Sequence, residues 1–246
     1  MSIQACANLV ARADPERFAA AMMTRLPVRK VLFPIYAFAA EVSRAPWMTQ
    51  EQTIAEIRLQ WWRDALDGIK KGNVRRHEVV EPLAKVLTQQ GNKALDVMVE
   101  ARRWDIQRQG FEDPDSLLKH VEAIAFGPLS AALDSLGHLP NDDKKIRNLA
   151  RQIGLARFLC GIRELLDLNV PIWSCPQKDN IYSNLCEETL SISGPILSSP
   201  ALIETANFKR ILRFVARNPR SVESGTIPGF PLRTTGSRIL FALKNN

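Results

Sequence analysis

The sequence predicts an all-α fold, and three observations carry that expectation. Apolar residues recur three and four positions apart through most of the chain, which is the spacing of one helix face. Period-two alternation is almost absent, and no Asn-Gly or Asp-Gly pair occurs in the form a β-hairpin needs. Helix-opening and helix-breaking residues punctuate the chain at intervals that fit about eight to ten helices.

Taken in order, the elements read as follows. A helix is expected over Thr49–Lys71, with Ile54, Ile57, Trp61, Ala65 and Ile69 on its inner face. Trp61 and Trp62 point about 100° apart on that helix, and the chosen phase buries Trp61. The neighbourhood of His77 and the segment Gln90–Lys93 are expected loops. Leu95, Met98, Val99, Arg102 and Ile106 form the next stripe, which ends at Gly110. After the loop Gly110–Pro114, Asp113-Pro114 caps a helix that runs to about Gly137. Beyond the loop Gly137–Asp142, Asn141-Asp142 opens a helix striped by Leu149, Ile153, Ala156, Cys160 and Arg163. Asn169–Pro200, rich in Pro, Gly and Ser, is expected to be irregular, either a surface excursion or a linker. No internal repeat interrupts this order, so residues 1–246 are expected to form a single domain with its core over about 14–176.

Composition narrows the class. The 246 residues are 46% hydrophobic and 24% charged, which excludes a disordered tail, a collagen-like repeat and a disulfide miniprotein. No run approaches the roughly 18–20 apolar residues of a membrane-spanning helix, and Met1–Ala13 lacks the pattern of a secretory signal. A reducing compartment is the expected location. Cys6, Cys160, Cys175 and Cys186 form no CxxC pair, so no structural zinc site is expected. His77, His120 and His138 stand alone, without a nucleophile elbow to serve, and are expected at surfaces or caps. Gly225–Gly229 lacks the lysine of a phosphate-binding loop.

Charge is distributed unevenly. The net +7 lies wholly in residues 206–246, where Lys209, Arg210, Arg213, Arg217, Arg220, Arg233, Arg238 and Lys244 face the single acid Glu223. Phe208, Ile211, Leu212, Phe214 and Val215 interleave with these cations, giving a basic amphipathic helix. Two readings are open for it: a solvated helix face, or a surface for an anionic membrane or a protein partner. No nucleic-acid signature accompanies the charge, so nucleic acid is not an expected partner.

Three stretches carry a resemblance. The first is Tyr36-Ala-Phe-Ala-Ala-Glu-Val-Ser-Arg-Ala-Pro-Trp47 with Glu56-Ile-Arg-Leu-Gln-Trp-Trp-Arg-Asp-Ala-Leu66. The second is Glu100-Ala-Arg-Arg-Trp-Asp105 with Phe111 and Leu117–Gly137 behind it. The third is Gly154-Leu-Ala-Arg-Phe-Leu-Cys-Gly-Ile-Arg-Glu-Leu-Leu-Asp167, followed by Val170-Pro-Ile-Trp-Ser-Cys-Pro176. In this order the chain resembles the squalene/phytoene synthase superfamily of head-to-head prenyl synthases. The likeness runs over about Asp14–Pro176, and more weakly over Ile227–Leu243.

The resemblance implies a helical bundle of the isoprenoid-synthase type around a central cavity. In that family Mg²⁺, clamped between two acidic motifs on facing helices, stabilises a departing diphosphate. Laid on this sequence, the first motif's acidic positions fall on Ser43, Arg44 and Trp47, with Glu41 out of phase, Ala40 where an arginine is usual, and Pro46 interrupting the helix. The second motif is half present: Arg163, Glu164 and Asp167 match, but Leu168 occupies a carboxylate position. Gly154–Arg163 is also one residue shorter than the usual pattern. Two readings follow. Asp105, Glu164 and Asp167 hold one cation near Arg163, or Arg163–Asp167 is only a helical ion pair. Tyr36, Glu41, Asp105 and Arg163 are the residues the resemblance brings to the cavity.

Within the superfamily the chain looks most like the branch containing a mitochondrial complex I assembly factor and its bacterial relatives, which lacks full acidic motifs. That implies a non-catalytic assembly or scaffolding protein, or a binder of prenyl lipid or prenyl diphosphate, needing no cofactor. Its expected place is cytoplasmic and peripheral to the inner membrane, or the matrix side in a mitochondrion. The alternative is a working prenyltransferase that requires Mg²⁺. Lys209, Arg210, Arg213 and Arg217 are the expected contacts to a membrane surface or a membrane-associated partner.

Overall fold

A computed structural model of the chain describes residues 3–140, 142–177, 180–192, 199–205 and 207–229. Ten α-helices occupy these residues, and the only β-type pairing among them is an isolated bridge between Phe111 and Trp173. Helix α1 (Ile3–Ala13) ends at Asp14, whose side chain accepts from the Arg17 amide at 3.0 Å and opens α2 (Pro15–Met22). Proline at the first position suits it, since no amide partner exists there. Helix α3 (Leu26–Arg44) passes into a 3-10 turn, Ala45–Trp47, around Pro46.

Helix α4 (Gln52–Lys70) lies where expected, but its phase differs from the one read in the sequence. Ala55, Leu59, Trp62, Ala65 and Leu66 are its buried residues, whereas Ile57 is 63% exposed and Ile54 also faces out. Trp62 packs edge-on against Phe38, and Trp61 is only half-buried. The helix carries apolar residues on two faces, and packing against α3 and the helix after next chose the narrower one. After α5 (Val80–Ala84), α6 (Gln89–Gln107) starts at Thr88, whose hydroxyl accepts from the Gly91 amide at 2.9 Å. Gln90–Lys93 is therefore helical, not a loop. A Cβ at Gly91 would sit tightly against the side chains of Leu87 and Thr88, at 3.0 and 3.2 Å.

Asp113 and Ser116 form a reciprocal capping box that opens α7 (Pro114–Ser135), and Gly137 ends the element with φ of 73°. Helix α8 (Asp143–Asp167) is capped by Asp142, which accepts from Lys144 at 3.1 Å. Within the stretch expected to be irregular, α9 (Ile181–Ser191) buries Tyr182, Leu185, Cys186 and Thr189. The basic helix α10 (Phe208–Arg217) buries Phe208, Ile211, Leu212 and Val215 against α9 and α8. Its apolar face is thus inside the protein, and Lys209, Arg213 and Arg217 point to solvent. The resemblance noted over Ile227–Leu243, and the cations Arg233, Arg238 and Lys244, lie almost wholly outside the described residues.

Helices α6, α7 and α8 pack side by side in chain order, and α3 lies across α6 and α7 with α1 on its other flank. One continuous apolar core joins α1 through α10. No described helix is long and apolar enough to cross a membrane.

Candidate functional site: an arginine-lined cavity

The walls of a cavity of about 890 Å³ come from α1, α2, α3, α6, α7 and α8. Helical spacing explains which residues reach it. From α6 come Met98, Arg102 and Asp105; from α7, His120, Val121, Ile124 and Ala125; from α8, Gly154, Arg157, Phe158, Gly161 and Leu165. The last turn of α3 adds Ala40, Ser43 and Arg44, with Trp47 after it. Arg12 ends α1, and Asp14 and Arg17 start α2. Gly154 is required by close approach, because a Cβ there would sit 2.2 Å from the Val121 carbonyl of α7.

Two carboxylates line this space, and both are neutralised by neighbours. Asp14 accepts from Arg157 at 2.7 Å and lies 3.7 Å from Arg17. Burial pushes its carboxyl up, but the two guanidinium groups outweigh burial and hold it at about 2. Asp105 sits between Arg102 at 2.7 Å and His120 at 3.1 Å. Burial again opposes the charge, and Arg102 with His120 keeps this carboxyl below the ordinary carboxylate range. Arg102 also donates to the Ser43 hydroxyl at 3.0 Å, linking α6 to α3. Five arginines therefore face two aspartates on the wall.

The structure separates the residues singled out in the sequence. Ser43, Arg44, Trp47 and Asp105 do line the cavity. Arg163, Glu164, Asp167 and Leu168 do not: all four are exposed, the first three on α8 and Leu168 at its C-cap. Arg163 pairs with Asp167 along the helix and donates to the Glu223 carbonyl at 3.3 Å, so it clamps the C-terminal segment instead of serving the cavity. The stripe read from Leu149 to Arg163 likewise leaves the core after Ala156, since Cys160 and Arg163 are exposed. Tyr36 is fully buried beneath the Arg17 guanidinium, 5.1 Å from its ring centre, and is not on the wall. Glu41 is also off the wall and pairs with Arg44 at 3.2 Å.

Histidines divide as well. His77 accepts from the Val79 amide and packs on both Trp61 and Trp62, a capping role. His138 meets the Ser199 hydroxyl at 2.9 Å. His120, expected at a surface or cap, is instead buried on the cavity wall. Sequence reading missed Arg12, Asp14, Arg17, Arg102, His120 and Arg157 as wall residues. The Asp14-Pro15 opening was a readable signal, being the same cap pattern found at Asp113-Pro114.

Magnesium requires near-octahedral oxygen ligation, supplied by carboxylates with free lone pairs. The wall residues do not fit it. The end of α3 and the turn after it present Ser43, Arg44 and Trp47 to the cavity, α8 presents Arg157, Gly161 and Leu165, and the two carboxylates on the wall already accept from arginine. Among the described residues no three His, Cys, Asp or Glu side chains converge on a metal position. What the arrangement does favour is an anion with an apolar body: guanidinium forks match phosphate oxygens, and Met98, Val121, Ile124, Phe158 and Leu165 supply apolar wall.

Residues 10–163, well over half the chain, match the squalene/phytoene synthase family. The chain belongs to that family. Among solved structures, this squalene/phytoene synthase family member is similar to a dehydrosqualene synthase determined in complex with ligand, with a TM-score of 0.71 and 12% identity over 98% of this chain and 95% of that one. It is similar also to the squalene synthase HpnC from Alicyclobacillus acidocaldarius, with a TM-score of 0.61 and 12% identity over 99% and 89% of the two chains. At that identity the likeness establishes the isoprenoid-synthase fold. A curated relative from Dictyostelium discoideum, the NADH dehydrogenase (ubiquinone) complex I assembly factor 6 homolog, is 25% identical over 153 residues. That match takes in 60% of this chain and only 43% of the relative's length.

Proposed function

We propose that this squalene/phytoene synthase family member no longer ionises prenyl diphosphates and acts by binding, as a membrane-peripheral assembly or scaffolding factor of the respiratory complex I type. One observation carries the reading: beside the cavity the end of α3 and the turn after it present Ser43, Arg44 and Trp47, α8 presents Arg157, Gly161 and Leu165, and the two carboxylates on the wall, Asp14 and Asp105, already accept from arginine. Without the metal, the leaving diphosphate's charge of about three has no divalent counter-ion, and the fold keeps only its capacity to enclose a ligand. Similarity to the Dictyostelium assembly factor homolog supports the assembly role. The outward row Lys209, Arg213 and Arg217 supports a peripheral contact to an anionic leaflet or an acidic membrane-associated partner, through charge and not through insertion of the buried apolar face.

The test is incubation of the purified protein with farnesyl and geranylgeranyl diphosphate at millimolar Mg²⁺, scoring released diphosphate and hydrocarbon product. The expected result is neither. Product formation that Asp105→Asn abolishes overturns the non-catalytic reading in favour of a working prenyltransferase.

A further inference from the structure

Ile54, Ile57 and Trp61 stand at i, i+3 and i+7 on α4, the spacing of the a and d seam by which one helix packs on another. The protein's own core does not cover that seam. Helix α4 packs on α6, on α5 and on the turn Ala45–Trp47, burying its other face, and Ile57 is left 63% exposed with Ile54 beside it. Trp61 is held from within: its ring meets Trp62 edge-on at 4.8 Å and His77 at 5.1 Å. Past the helix, Gly72 takes a φ of 76° and the Asn73 amide donates back to the Gly68 carbonyl at 2.8 Å. That turn brings the chain back along α4. The Arg75 guanidinium lies 5.4 Å from the Trp61 ring centre and 3.4 Å from Asp64, and Val74 is exposed. Charge around the seam is uneven. Lys70–Arg76 holds four cations and no acid. Arg75 is matched by Asp64, whereas Arg58, Lys70, Lys71 and Arg76 make no ion pair among the described residues. The exposed acids nearby are spread out: Glu51 before the helix, Asp67 in its last turn and Glu78 beyond the loop. Glu56 is turned to Arg103 of α6.

We infer that this outer face of α4 docks an amphipathic helix of a partner protein, one that carries its own apolar seam and acidic flanks. The inference goes beyond the function proposed above and does not depend on whether the cavity turns over substrate. A helix supplies the two turns of apolar contact, about 10 Å at 1.5 Å per residue, that Ile54–Trp61 offers. Its acidic flanks meet Arg58 at the edge of the seam and Lys70–Arg76 at its end, which steers approach and fixes direction. Trp61 needs little ordering on binding, because Trp62 and His77 already hold its ring, and such a pre-set aromatic is the kind of anchor that dominates interface energy. A leaflet is matched less well: Trp61 is pinned against the protein, and Asp64 and Asp67 are exposed on the same helix. In an antiparallel pair the α4 of a second copy brings only Glu51 to Lys70–Arg76.

Two synthetic peptides of about three heptads test this, both with Leu at a and d, one with Glu and the other with Lys at e and g. Like charges at those positions keep each peptide from pairing with itself. Fluorescence anisotropy of the labelled peptide against the full chain, at low and physiological salt, is the measurement. The Glu peptide is expected to bind, more weakly as salt rises, and the Lys peptide to bind at least about tenfold more weakly. Ile57→Ser, at an exposed position and between residues of similar helix propensity, should cut affinity by about tenfold or more with the melting temperature unchanged. Arg58→Gln and Arg76→Gln should each cost up to about fivefold and flatten the salt dependence. Equal binding of the two peptides, no binding of the Glu peptide, or an affinity that Ile57→Ser leaves unchanged overturns the inference. Dimerisation in sedimentation velocity, or co-sedimentation with phosphatidylglycerol–phosphatidylcholine vesicles, that Ile57→Ser abolishes while the Glu peptide fails to bind gives the face to a second copy or to a leaflet instead. The turnover assay above tests the non-catalytic reading separately.

Discussion

Arg157 of α8 donates to the Asp14 carboxylate at 2.7 Å across 143 residues of sequence. The same carboxylate caps α2 through the Arg17 amide. One side chain thus starts a helix near the N-terminus and ties it to the last long helix of the bundle, on the wall of the cavity.

Acid should loosen this tie. The Asp14 carboxyl is held at about 2 against an ordinary 3.8, so the native state favours its charged form. Its contribution is complete above about pH 4 and is lost as the pH falls towards 2, amounting to about 2 kcal/mol. Urea unfolding of the wild type and Asp14→Asn at pH 5 and pH 2.5 checks it. The gap between the two proteins should shrink at the lower pH, and a gap of constant size refutes the assignment.

Trp62→Ala should destabilise by about 3–5 kcal/mol, because Trp62 is 5% exposed and packs on Phe38. Trp61→Ala should cost no more than about half of that, since its half-exposed ring retains much of its hydration when folded. The comparison is a pair of denaturant titrations. If Trp61→Ala proves the costlier change, the phase of α4 described above is wrong.

Gly154→Ala should cost about 1–3 kcal/mol by forcing α7 and α8 apart, given the 2.2 Å approach to the Val121 carbonyl. Gly161 also lines the cavity, yet a methyl there meets nothing within 4 Å. Gly161→Ala should therefore be neutral or stabilise by about 0.5–1 kcal/mol through reduced chain entropy. Melting temperatures of the two variants should move in different directions or differ clearly in size. Equal losses count against the close helix contact.

The basic helix separates stability from charge. Leu212 is fully buried, so Leu212→Ala should cost about 2–5 kcal/mol. Replacing Lys209, Arg213 and Arg217 with glutamine should change stability by less than about 0.5 kcal/mol per residue but lower co-sedimentation with anionic vesicles at low salt. Vesicle binding that is indifferent to these three charges and to salt removes the case for a leaflet contact.

Much of the fold was legible locally. Asp113-Pro114 opened α7 and Gly137 closed it because capping and positive φ are properties of a few adjacent residues. Helix α9 was hidden by its Pro- and Gly-rich flanks, and the start of α6 by Gly91, whose poor propensity is offset by the Thr88 cap on its amide.

The site was legible in kind and not in register. At the end of α3 and in the turn after it, Ser43, Arg44 and Trp47, counted from Tyr36, all line the cavity. On α8 and at its C-cap the counted residues Arg163, Glu164, Asp167 and Leu168 lie off the cavity wall. From Ile146 to Leu159 this helix buries residues on nearly every side, so no single apolar stripe marks which face is inward. The face was set by the fit of Gly154 onto Val121, which turns Arg157, Gly161 and Leu165 to the cavity and Glu164 and Asp167 to solvent. The sequence alone determined the all-α class, the family likeness and that Ser43, Arg44 and Trp47 carry no carboxylate, since these follow from residue identity and near-neighbour spacing. Only the tertiary structure decided that Asp14, Arg17, Arg102, His120 and Arg157 meet, because long-range pairing depends on how helices rotate against one another, and that rotation is fixed by packing distributed over the whole core.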